Sequence, residues 1–214
     1  MLFSHSKTEP VSPQQALAGS PDYPYPVPDT HYVNGHPIRP PFPPGLQTAI
    51  FGLGCFWGAE EIFWQTEGVW TTAAGYAGGS TPHPTYEQVC TGRTGHTEAV
   101  QVVFDPAVLS YAELVARFFE VHDPTQGMRQ GNDLGTQYRS AIYYTSDEQR
   151  RIAEQARATF DTHLRKLGFG PVTTEIAPAE QGSFYYAEGY HQQYLAKNPN
   201  GYRCHATTGI TFPR

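Results

Sequence analysis

At 214 residues, with 39% hydrophobic and 14% aromatic residues, the chain carries enough apolar material for one compact domain with a substantial core. A charged fraction of 16% excludes a disordered polyampholyte, and a net charge of -6 offers nucleic acid or an anionic membrane no electrostatic reason to bind. Three cysteines are too few for a disulfide-built secreted scaffold, no apolar window reaches membrane-helix length, and the first residues lack the apolar core of a secretory signal, so a cytoplasmic protein is expected.

Residues 1–46 differ from the rest: 11 of the 19 prolines fall between Pro10 and Pro44. Proline removes backbone donors and fixes φ, so this stretch reads as an extended wrapping arm or a mobile tail, ahead of a single domain over residues 47–214. In the body, Ala49-Ile50-Phe51 predicts a short buried strand broken by Gly52 and Gly54, followed by a helix over Cys55 to Gln65. A strand over Val69 to Tyr76 comes next. Glu98, Val100, Val102 and Phe104 alternate in a further strand with one buried face. Ser110 and Glu113 form a capping box before an amphipathic helix carrying Tyr111, Leu114, Val115, Phe118 and Phe119. Then come a strand at Ser140 to Tyr144, a long helix capped at Ser146, a strand at Val172 to Ile176 and a helix over Tyr185 to Leu195. The elements do not alternate regularly. The expected fold is α+β: a two-layer sandwich of a small mixed or antiparallel sheet with helices packed on it, a ferredoxin-like core and long irregular terminal segments.

The segment Gly52-Leu53-Gly54-Cys55-Phe56-Trp57-Gly58 carries the most chemical information. A strand ends, glycines permit a tight turn, and a cysteine opens a helix whose free N–H groups and dipole favour a thiolate. An ordinary cysteine is only about 3% thiolate at pH 7, so this placement matters for reactivity. A core cysteine followed by core aromatics fits the same residues equally well. A dinucleotide fingerprint does not: the spacing is G-x-G-x-x-x-G, and Cys55, Phe56 and Trp57 would crowd the turn where a pyrophosphate must approach.

Gly54-Cys55-Phe56-Trp57-Gly58 resembles the signature of the A-type peptide-methionine sulfoxide reductases. Further segments match in order, among them Gly75-Tyr76-Ala77-Gly78-Gly79, Gly95-His96-Thr97-Glu98-Ala99-Val100, Gly135-Thr136-Gln137-Tyr138-Arg139-Ser140 and His191-Gln192-Gln193-Tyr194-Leu195. The similarity spans roughly residues 47 to 205. It implies reduction of the S epimer of methionine sulfoxide, free or in proteins, with Cys55 as nucleophile and Glu98 as the acid that protonates the sulfoxide oxygen. It also implies that Tyr86 and Tyr138 hydrogen-bond that oxygen, that Phe56 and Trp57 hold the substrate methyl, and that Asp133 supports the site. The resulting sulfenic acid at Cys55 would condense with Cys204, and thioredoxin would reduce the disulfide; a monomer without cofactor is implied. The chain departs from the commonest pattern. Arg203 stands between Gly201-Tyr202 and Cys204, and the tail after Cys204 holds no cysteine, which leaves a two-cysteine cycle with Cys90 a bystander.

Nine histidines and three cysteines show no C-x-x-C, H-x-x-x-H or H-E-x-x-H spacing, so no metal site is expected, and His36, His122 and His191 read as structural. The rival from another class is a Cys-His hydrolase or transferase using His96 or His122 as base. A second is a non-catalytic binder of methionine-rich partners.

Overall fold

In the computed structural model, which describes residues 7–179, 184–204 and 206–213, fourteen elements follow one another. They are β1 (Gln47–Leu53), α1 (Phe56–Trp64), β2 (Val69–Ala77), α2 (Tyr86–Cys90), β3 (Thr97–Phe104), α3 (Tyr111–Glu120), β4 (Arg129–Gln130), β5 (Asp133–Leu134), a 3-10 turn (Thr136–Tyr138), β6 (Ser140–Tyr144), α4 (Asp147–Lys166), β7 (Glu175–Pro178), β8 (Tyr185–Tyr186) and α5 (Tyr194–Lys197). Six strands form one mixed sheet in the order β7-β6-β1-β3-β2-β8. Its pairs are antiparallel except β6 with β7. The architecture is α+β.

Period-2 alternation decides which way each strand faces. Ala49, Phe51 and Leu53 of β1 and Val100, Val102 and Phe104 of β3 point to the helices. There they meet Phe56, Ala59 and Phe63 of α1, Leu114, Val115, Phe118 and Phe119 of α3, and Phe160 and Leu164 of α4. Each of these Val, Leu and Phe side chains, when fully buried, contributes roughly 1.5–3 kcal/mol of transfer free energy. The capping signals are realised: Ser110 Oγ accepts from Glu113 N–H, and Ser146 Oγ from Gln149 N–H. A second capping box, Thr85 with Gln88, starts α2, an element that apolar periodicity did not indicate.

Four expectations need correction. β3 is buried on both faces, because residues of the arm cover the second one: Gln101 Nε2 donates to the carbonyl of fully buried Ile38. The arm therefore wraps over its described length, tied also by His31 to Thr72 and by the Tyr25 hydroxyl to the carbonyl of Pro84. The strand expected at Val172 to Ile176 lies at Glu175–Pro178. The backbone of Val172 and Thr173 is taken by Asp161 and by the carbonyl of Pro124, which leaves pairing with β6 to start later. Tyr185 to Leu195 is not a helix: it opens with β8, runs through turns and reaches α5 only at Tyr194. Gln192 bonds the backbone of Ala74 and Ala187 through its side chain, and Gln193 sits in the left-handed region at φ 48°. Lastly, Cys55 caps the first helix instead of lying inside it.

Candidate active site

β1 delivers the chain to Gly54, whose φ of +97° turns it sharply into α1. A Cβ at Gly54 would lie 2.7 Å from Cγ of Gln130, which is itself buried. Gly54→Ala is therefore expected to cost about 2–3 kcal/mol in a denaturant melt, from left-handed strain plus overpacking. The turn places Cys55 at the N-cap, half-buried, with Glu98 beside it. Glu98 is the second residue of β3, on the face that looks at the helices, and lies opposite Tyr76 of β2. Its Oε2 accepts the N–H of Phe56 at 3.0 Å. Only 1% of Glu98 is exposed. Burial pushes its carboxyl up to about 8; the Phe56 N–H opposes this, and the charge of Asp133 adds to it. At neutral pH the group is mostly an un-ionised acid.

Cys55 behaves differently from the expectation. Burial raises its thiol well above the usual value, the Glu98 charge raises it further, and the Trp57 N–H lowers it without prevailing. The helix N-terminus is weaker here than the sequence suggests because Phe56, its first N–H, is spent on Glu98. Two adjacent buried acids in low dielectric resist carrying two negative charges, so Cys55 and Glu98 titrate as a pair.

Around the sulfur stand aromatic rings. Phe56 lies 4.9 Å from the His191 ring and 6.4 Å from Tyr86. Trp57 stacks on Tyr194 at 3.8 Å, and its indole N–H donates to His191 Nδ1 at 2.9 Å. Tyr86 at the start of α2 and Tyr138 at the end of the 3-10 turn both feel the charge of Glu98, and burial pushes both phenols up. Tyr138 is followed by Arg139, a buried side chain that bonds Glu175, the carbonyls of Thr136 and Gly95, and the Tyr143 hydroxyl. Asp133, on β5, accepts the Tyr202 hydroxyl at 3.1 Å. Cys204 lines the same small cavity as Cys55, Gly58, Ile62 and Gln130, and its thiol is directed at the Gln130 carbonyl at 3.6 Å. Every residue assigned to the site from sequence thus converges on one end of the sheet. All three cysteines are free thiols.

Residues 47–211 match the peptide methionine sulfoxide reductase family. The chain belongs to that family. It is 63% identical over 201 residues to a peptide methionine sulfoxide reductase MsrA of Azotobacter vinelandii, covering 94% of this chain and 92% of the relative. Its structure is similar to methionine sulfoxide reductase A of Corynebacterium diphtheriae, with a TM-score of 0.85 and 46% identity, over 96% of this chain and all of the other. The reduced form of Mxr1 from Saccharomyces cerevisiae also matches, with a TM-score of 0.69 and 35% identity over 78% and 94% of the two chains.

In this member of the reductase family, two residues beside the site escaped the sequence reading. Glu188 is buried, accepting the Tyr76 hydroxyl at 2.7 Å and the Tyr86 N–H at 2.8 Å. His191, read as a satisfied structural histidine, instead packs among Phe56, Trp57 and Tyr86. Its Nε2 is buried with no hydrogen-bond partner among the described residues. Both sit in the segment mistaken for a helix, and no apolar pattern would have separated them from it. His36 and His122 are structural as expected, each with a ring nitrogen on a backbone carbonyl. The hydrolase reading loses its base. His96 bonds the Gly79 N–H and the Thr81 carbonyl, His122 bonds the Phe118 carbonyl and the Ser140 hydroxyl, and burial lowers both to about 4. Among the described residues, no group of three or more His, Cys, Asp or Glu could hold a metal ion, and no helix is long and apolar enough to cross a membrane.

Proposed function

We propose that the protein reduces the S epimer of methionine sulfoxide, free and in oxidised proteins, and so repairs oxidative damage. The observation that carries this reading is the buried, largely un-ionised carboxyl of Glu98 next to the half-buried thiol of Cys55. Sulfoxide oxygen leaves sulfur readily only when protonated, and a neutral acid in a dry site is the group that can protonate it. Cys55 Sγ bonds to the sulfoxide sulfur while Glu98 gives its proton to the oxygen, and the thiol proton returns to Glu98. The substrate S–O bond and the transient Sγ–S bond then break as an Sγ–O bond forms, so methionine leaves with its sulfur reduced and the oxygen ends on the oxidised Cys55 as a sulfenic acid. Tyr86 and Tyr138 hydrogen-bond the oxygen, Phe56 and Trp57 hold the methyl group, and Asp133 supports the site. Cys204 then attacks the sulfenic sulfur, giving the Cys55–Cys204 disulfide and water. Thioredoxin is the proposed reductant of that disulfide; a structure of the yeast protein Mxr1 contains Trx2.

The catalytic domain in this reading is residues 47–214, with 1–46 as an arm whose described residues brace it. The core order β6-β1-β3-β2 with α1 and α3 as crossovers favours a ferredoxin-like two-layer sandwich. A complete site within one chain supports a monomer, and free thiols fit the cytoplasm.

Incubation with methionine sulfoxide and no reductant tests the cycle by mass spectrometry. Protein lighter by two hydrogens, cross-linked between Cys55 and Cys204, with about one equivalent of methionine formed, is the expected result. Unmodified protein with no product would defeat it. Cys204→Ser is expected to complete one turnover and then stall with thioredoxin; undiminished cycling would point instead to Cys90 as resolver or to direct reduction of the sulfenic acid.

A further inference from the structure

The residue that separates this chain from the commoner pattern, Arg203, has a definite place. Its Nε and Nη2 donate to Glu61 Oε2 and Oε1 at 2.7 and 2.9 Å, a bidentate pair between residues 142 apart in sequence. Nη1 donates to the Pro199 carbonyl at 2.8 Å, which braces the loop as well. The two side chains are 20% and 30% exposed. The arginine–carboxylate pairs along α4, such as Arg150 with Glu154, join neighbours of a single helix and are more open to solvent. Those decorate a surface. Arg203 ties two distant segments together.

What it ties is specific. Gly58, Glu61 and Ile62 of α1 fall on one stripe with its N-cap Cys55, at i, i+3, i+6 and i+7 counted from the cysteine. The chain after Gly201 crosses this stripe: a Cβ at Gly58 would touch the Cys204 amide nitrogen at 3.9 Å, and Arg203 reaches Glu61 further along. Cys204 thereby lines the cavity that Cys55 and Ile62 also line. The residue before Cys204 is anchored to the very helix whose N-cap is Cys55.

We propose that the Arg203–Glu61 pair is a clamp that positions Cys204 for disulfide formation, an inference that rests on the two-cysteine cycle above. In that step the Cys204 sulfur attacks the sulfenic sulfur of Cys55, the S–S bond forms, the S–O bond breaks, and the oxygen departs as water with the thiol and hydroxyl protons. The clamp has no part in the earlier attack on the sulfoxide. It acts by holding one reactant near the other, which raises the effective concentration of the thiol. Tyr202 to Asp133 remains as a second tether, so its loss slows the step without abolishing it.

The test is rapid-quench analysis of the full chain with methionine sulfoxide and no reductant, comparing Arg203→Gln, Glu61→Gln and the double variant. Methionine formed in the first turnover reports the first step, and alkylation with mass spectrometry reports the Cys55–Cys204 disulfide. The first step is expected at the wild-type rate, with disulfide formation slowed about fivefold in each single variant at low salt. The double variant is expected to be no slower than either single one, because the two groups act through each other. Added salt should slow the wild-type disulfide step and spare the variants. Disulfide formation at the wild-type rate in the single variants, equal slowing of both steps, or additive slowing in the double variant would each overturn the clamp. Wild-type protein that yields methionine but no Cys55–Cys204 disulfide would overturn the two-cysteine cycle and the clamp together.

Discussion

Cys55→Ser is expected to reduce sulfoxide turnover below detection, a loss of at least about 10⁴-fold in kcat/KM, with little change in melting temperature. The substitution removes a single polarisable atom at the N-cap, and serine is a favoured cap, so the start of α1 survives. What is lost is chemical. A hydroxyl at this position is a far weaker nucleophile than a thiol, and no sulfenic acid or disulfide can follow an oxygen–sulfur bond. The resting thiol is itself held protonated, chiefly by burial. Wild-type Cys55 should therefore be alkylated by iodoacetamide at pH 7 more slowly than a free cysteine, whose thiolate fraction is about 3%. Activation belongs to the encounter with substrate, where Glu98 hands its proton to oxygen and becomes able to take one from sulfur. Measurable turnover by Cys55→Ser through Cys90 or Cys204 would remove the nucleophile from this scheme.

The two halves of that chemistry were unequally legible in the sequence. The position of Cys55 after Gly54 follows from local rules, since a strand, a left-handed glycine and a helix start are all short-range features. Glu98 shares a face with Val100, Val102 and Phe104, so its inward direction was also readable. The protonation state of the cysteine was not. It depends on how deeply the sulfur is surrounded and on which acceptor captures the Phe56 N–H, and that acceptor lies 42 residues away. The segment carrying Glu188 and His191 failed for a related reason. Most of its buried residues are polar, and some bond distant backbone through their side chains, as Gln192 does with Ala74, so they leave no apolar period to read. The second buried face of β3 was hidden likewise: the cover comes from a proline-rich arm whose composition says extended but not where it lies.

Glu98→Gln separates proton delivery from nucleophile activation and so tests the site most sharply. The amide keeps an oxygen for the Phe56 N–H but has no acidic proton, so the first turnover should slow by about 10²–10⁴-fold. Wild-type rate should fall as pH rises through about 8, where the carboxyl ionises, while the variant shows no such limb. Stability should follow the same group. The folded-state value is raised from 4.5 to about 8, so the folded protein binds the proton more tightly than the unfolded chain. That stabilisation is complete below pH 4.5, declines progressively as pH rises towards 8, and is gone above it. The variant lacks the decline, so denaturant melts should show it gaining on the wild type by on the order of a few kcal/mol across that window. The decisive comparison is alkylation at pH 9. There wild-type Glu98 is charged and holds the neighbouring thiol up, whereas glutamine does not, so Cys55 should react with iodoacetamide faster in the variant although sulfoxide reduction is slower. If alkylation and sulfoxide reduction instead rise or fall together, the two groups do not share a charge and Glu98 is not the acid.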